Sequence, residues 1–77
     1  MIQLLDNIIS DPSVCNGKPT FKGTRIGVTT ILEFLAAEDS EKEVLENYPV
    51  LTKKDIQTAL RFASKLMNNH YSIKNVA

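Results

Sequence analysis

The chain has 77 residues, with nine Lys and Arg against nine Asp and Glu, 43% hydrophobic and 23% charged residues. That length holds one domain, excludes a two-domain enzyme, and leaves a core small enough that regular helices or a partner subunit must supplement it. The formal net charge is zero, so no overall positive field advertises nucleic acid and any such role rests on local patterning.

Residues 1–10, MIQLLDNIIS, carry the acidic Asp6 and no basic start, and no apolar run approaches the roughly 18 residues that span a bilayer. Cys15 is the single cysteine, which excludes an intramolecular disulfide and a thiolate metal cage. A cytoplasmic protein without membrane insertion is the expectation. All three glycines and two of the three prolines lie between Asp11 and Gly27, where helix is repeatedly broken. Ile8-Ile9-Ser10, Thr20-Phe21-Lys22 and Thr24-Arg25-Ile26 read there as two or three very short strands. Asn16-Gly17 suits a tight turn, and Pro19 confines any strand beginning beside it to an edge.

After Gly27 the period changes. Val28, Ile31, Leu32, Leu35 and Ala36 recur at helical spacing, predicting a helix from about Val28 to Glu38. Ser40-Glu41-Lys42-Glu43 matches a capping box and starts a second helix, which Pro49 stops. Thr52 and Asp55 mark the start of a third, with Ile56, Ala59, Leu60, Ala63, Leu66 and Met67 turned inward and an end near Asn68 or Asn69. Residues 70–77 read as a tail whose apolar Tyr71, Ile73 and Val76 could dock on a partner.

The second and third helices, joined by Pro49-Val50-Leu51, have the proportions of a helix-turn-helix, in which the second helix enters the major groove. At about 100° per residue, Lys54, Thr58, Arg61 and Lys65 fall on one stripe, with Lys53 and Gln57 on its flank. Three cations and a hydroxyl suit a phosphate backbone, and Arg61 or Gln57 can pair with guanine or adenine edges. The same stripe is also what any amphipathic helix shows to water, and Glu41, Glu43 and Glu46 likewise read as solvated helix surface.

Catalytic readings find little support. GKPTFKGT lacks the spacing of a phosphate-binding P-loop, because five residues rather than four separate Gly17 from Gly23, which is followed by Thr24-Arg25. His70 is the sole histidine and has no second ligand at metal spacing. Cys15 lies on a turn-rich arm with no base nearby in sequence, and reads as a buried small apolar side chain rather than an activated nucleophile.

Ile9-Ser10-Asp11-Pro12 through Gly17-Lys18-Pro19, then Phe21-Lys22-Gly23-Thr24-Arg25-Ile26, Ile31-Leu32, Leu35-Ala36, Ser40 to Leu45, Tyr48-Pro49, Leu51-Thr52 and Asp55-Ile56 together resemble the domain of unknown function 433 family, over about residues 8 to 63. The ordered series Gly-Lys-Pro, Gly-Thr-Arg and Tyr-Pro-x-Leu-Thr carries the resemblance. It implies a small bacterial or archaeal protein of helix-turn-helix-like fold, in a family commonly labelled antitoxins of the VapB type, whose genes often neighbour one for a PIN-like nuclease toxin. Two loops depart from the family pattern: Gly27 stands where Pro is usual, and Glu38-Asp39 where Gly usually precedes the Ser cap. No catalytic residue carries over.

The expected architecture is mainly α: a single domain over residues 1–77, with a short N-terminal β arm and loops (1–27), a three-helix bundle with a homeodomain-like helix-turn-helix (28–69) and a tail (70–77). The expected function is that of an antitoxin and not an enzyme, homodimeric and without a cofactor or metal. Lys53, Lys54, Gln57, Thr58, Arg61 and Lys65 would meet operator DNA, and Tyr71, Ile73 and Val76 the PIN-like toxin. The alternative is a protein interaction module with no nucleic-acid role.

Overall fold

The structure is a computed structural model that describes residues 1–70, the last two by backbone alone. Among these residues the chain forms β1 (Ile2–Leu5), β2 (Ile8–Ser10), β3 (Thr20–Phe21), α1 (Val28–Ala36), α2 (Glu41–Asn47) and α3 (Lys53–His70), with a single 3-10 turn at Cys15–Gly17. The strands make one antiparallel sheet in the order β1-β2-β3.

This architecture corrects the expected helical bundle with a short β arm. The sheet is one wall of the core: Ile8 and Phe21, directly paired across β2 and β3, are both fully buried against Val28, Ile31, Val44, Leu51, Ile56, Ala59 and Phe62 from the helical layer. The physical reason is size. Helices of 9 and 7 residues present too little apolar face to close a core with α3 alone, so the sheet supplies the missing layer.

β1 has no counterpart among the expected strands. It pairs with β2 as Ile2↔Ser10, Gln3↔Ile9 and Leu5↔Ile8, with a bulge between Gln3 and Leu5. Asp6, at φ 47°, turns the chain; a short acidic side chain tolerates that left-handed conformation better than most. The Gln3 side-chain amide donates to the Asp6 carbonyl at 2.6 Å and holds the turn. Thr24-Arg25-Ile26, expected as a strand, is a turn instead. The Thr24 backbone N–H and hydroxyl both donate to the Phe21 carbonyl, and Phe21 N–H donates to the Ile26 carbonyl. Gly23, at φ +80°, supplies the sharp bend, a backbone conformation that a side chain would strain even though the space around it is open.

The helix boundaries follow from capping chemistry. α1 ends in a Schellman turn: Asp39 N–H donates to the Phe34 carbonyl and Glu38 N–H to that of Leu35, both at 3.1 Å. The left-handed position of that motif normally belongs to Gly, yet here Glu38 occupies it at φ 70°. α2 opens with the expected capping box, in which Glu43 N–H donates to Ser40 Oγ and Ser40 N–H donates to the Glu43 carboxylate. Its far end rests on α1 through Phe34 and Tyr48, whose ring centroids lie 6.0 Å apart.

Two stability measurements check this description. Replacing Glu38 with Gly relieves a conformation that costs an L-residue roughly 1 kcal/mol. Urea unfolding of Glu38→Gly should therefore show a gain of about 0.5–1 kcal/mol, reduced by the extra freedom of the unfolded glycine. The second concerns pH. The Ser40 backbone N–H, and then its hydroxyl, hold the Glu43 carboxyl below its usual range. Its contribution is therefore complete above the unfolded value of about 4.3 and is lost as pH falls through the lower folded value. Glu43→Gln should flatten that acid limb of the stability curve while lowering stability at neutral pH.

Candidate nucleic-acid interface

α3 begins with Thr52 and Asp55 exchanging hydrogen bonds. Asp55 N–H donates to Thr52 Oγ1 at 3.3 Å, and Thr52 N–H donates to Asp55 Oδ2 at 2.8 Å, a capping box with Asp in place of Glu. The other carboxylate oxygen, Oδ1, accepts from the Asn7 amide at 2.7 Å, a contact between residues 48 apart in sequence. The tip of the β1–β2 hairpin is thus clipped to the first turn of α3. Further along the helix, Asp6 and Arg61 form an ion pair, with side chains 46% and 61% exposed.

Around these contacts lies the cationic surface. Lys53, Lys54, Gln57, Arg61 and Lys65 are all exposed, while Ile56, Ala59 and Phe62 on the opposite side are buried. Lys54, Gln57, Thr58, Leu60 and Arg61 line a shallow groove of about 580 Å³. Asp6–Arg61 is the only ion pair found among the described residues, so no carboxylate there lies within ion-pair reach of Lys53, Lys54 or Lys65.

Thr58 is a correction. Expected on the DNA-facing stripe, it is only 2% exposed, and its hydroxyl donates to the Lys54 carbonyl one turn earlier at 2.9 Å. The apolar side is displaced as well. Phe62, absent from the expected inward set, is buried, whereas Leu60, Leu66 and Met67, expected inward, are exposed. Both shifts have one cause: the sheet, as an additional core wall, covers the flank of α3 that carries Thr58 and Phe62. Asp6 and Asn7 escape a reading of the sequence for the same reason, because only the hairpin brings them to α3. Tyr71, Ile73 and Val76 lie outside the described residues, and Cys15, expected buried, is exposed on the 3-10 turn. Among those residues, no group of three His, Cys, Asp or Glu side chains is placed to hold a metal ion, and no helix is long and apolar enough to cross a membrane.

Comparison with known proteins gives a consistent result. The family model described as "Protein of unknown function (DUF433)" matches residues 8–63. Among solved structures, the crystal structure of a DUF433 member protein from Anabaena variabilis ATCC 29413 is similar, at 33% identity and a TM-score of 0.71. The alignment covers 83% of this chain and 60% of that one, so the chain spans less than two thirds of the length of its relative. No curated protein matches.

The clip at the head of α3 predicts a non-additive pair. Asp55→Ala removes a helix cap and a tertiary acceptor and should cost about 2 kcal/mol, and Asn7→Ala about 1 kcal/mol. In a double-mutant cycle read by denaturant unfolding, Asn7→Ala should add little once Asp55 is gone. Additive losses would mean that the two side chains act separately.

Proposed function

Since this chain belongs to the DUF433 family of proteins of unknown function, its activity has to be argued from its own surface, and we propose that it is a DNA-binding antitoxin of a type II toxin-antitoxin pair. In this reading the outer face of α3 enters the major groove of its operator. One observation carries it: a helix anchored by its apolar side offers Lys53, Lys54, Gln57, Arg61 and Lys65 outward together. Lysines placed so neutralise phosphates and fix register, while Gln57 and Arg61 have the donor geometry that reads adenine and guanine edges.

The Asp6 carboxylate beside Arg61 tempers that face. With a net charge of zero, affinity rests on a few local contacts, so binding is weak and the slope of its salt dependence is set by those few phosphates. The PIN-like nuclease toxin is the proposed protein partner, met through Tyr71, Ile73 and Val76, and its gene is expected beside that of this chain. A pure interaction module is the second reading, favoured by the exposed Leu60 in the middle of the cationic face.

Binding to DNA from upstream of the gene, followed by fluorescence anisotropy at several salt concentrations, separates the two readings. Joint replacement of Arg61 and Lys65 by Ala should weaken binding and flatten the slope of log K against log salt by about 2. Asp6→Asn should strengthen binding by freeing Arg61. If neither variant changes the curve, α3 does not meet DNA. Co-expression with the neighbouring gene product tests the toxin contact by whether the two purify together.

A further inference from the structure

One apolar side chain on the outer side of α3 is not used by the fold. Leu60 is 48% exposed and takes no part in the core that Ile56, Ala59 and Phe62 close. Its surroundings are polar, since the other residues lining its groove of about 580 Å³ are Lys54, Gln57, Thr58 and Arg61. Gln57 lies three residues before Leu60 and four before Arg61, so both are its neighbours one turn along the helix. A hydrocarbon thus stands beside a side-chain amide and a guanidinium, on a helix whose Lys53, Lys54 and Lys65 are exposed as well.

Duplex DNA presents the complement of that arrangement. In the major groove each A·T pair shows the N7 acceptor and N6 amino donor of adenine and, beside them, the 5-methyl group of thymine, an apolar spot on a polar floor. A helix about 10–12 Å across fits a groove about 12 Å wide. Residues three apart rise about 4.5 Å along a helix and successive base pairs about 3.4 Å along the duplex, so Gln57 and Leu60 are spaced to meet the same or adjacent pairs. Charge separates this occupant from a protein surface. A protein pocket for Leu60 would have to be ringed by carboxylates to meet the cations, whereas every thymine methyl already lies between two phosphate backbones.

Resting on the DNA-binding reading proposed above, we infer that Leu60 is the residue by which α3 selects thymine. Its side chain packs on the 5-methyl group of a thymine in, or next to, the A·T pair whose adenine Gln57 holds through N6 and N7. This contact recognises a methyl group and not a charge, so it is separable from the phosphate contacts made by the lysines.

Fluorescence anisotropy with two duplexes of the DNA upstream of the gene, one natural and one carrying deoxyuridine at every thymine, tests the assignment. The exchange removes only the 5-methyl groups and leaves every base-pairing group and phosphate in place. The parent chain should bind the uracil duplex about fourfold more weakly for each methyl it covers. Leu60→Ala, at a site already open to water, should bind the two duplexes alike, with the slope of log K against log salt unchanged because no phosphate contact is lost. Equal binding of both duplexes by the parent chain overturns the assignment and leaves the DNA-binding reading standing, a comparison that needs no variant to fold. A uracil penalty that persists in Leu60→Ala overturns it too, since the methyl is then read by another residue or through the shape of the duplex. If the parent chain binds neither duplex, the DNA-binding reading falls and the assignment with it.

Discussion

A single carboxylate decides how α3 sits on the rest of the molecule. Asp55 closes the capping box with Thr52 through one oxygen and accepts from Asn7 through the other, so the start of the helix and the tip of the hairpin share one anchor. Because the side chain is half-buried, both bonds are partly shielded from competing water, where a hydrogen bond to a charged acceptor counts for more than at the surface. Rotation of α3 about its axis is then limited by this anchor at one end and by Ile56, Ala59 and Phe62 in the core. What faces outward follows from what is held inward.

That coupling makes the electrostatics of the surface a property of the fold. The chain is neutral as a whole, but the cations gather on α3 while three glutamates, Glu41, Glu43 and Glu46, sit on α2. The hairpin adds Asp6 to the cationic side. A surface of this kind has short-range rather than long-range reach at physiological salt, where fields fade over about 8 Å. Shape and direct contact, more than steering from a distance, would select whatever binds there.

Much of the helical layer is legible in the chain itself. The start of α1 at Val28, the capping box at Ser40 and Glu43, and the start of α3 after Thr52 all follow from local side-chain chemistry, and the structure has each of them. Strand β2 and the beginning of β3 are readable from short β-branched runs. β1 is not, because Ile2-Gln3-Leu4-Leu5 has neither a clean alternation nor β-branched enrichment, and its strand character comes from pairing with β2. Without that strand the buried arc of α3 is misplaced. A helical wheel centred on its aliphatic residues puts Leu60, Leu66 and Met67 inside and leaves out Phe62. Tertiary cover, which no local pattern encodes, moves the arc toward Phe62 and Thr58. Lys53, Lys54, Arg61 and Lys65 are exposed in spite of that error, although Lys65 borders the groove that Leu4 and Phe62 line.

The turn at Glu38 has a mechanical meaning beyond its strain. Its two hydrogen bonds, from Glu38 and Asp39 to Leu35 and Phe34, set the direction in which the backbone leaves α1, and everything from α2 onward is carried by that elbow. A residue inserted there would swing the downstream helices like a lever, displacing side chains several turns away by far more than the elbow itself moves. The segment should therefore tolerate exchange of its residues and resist any change in its length.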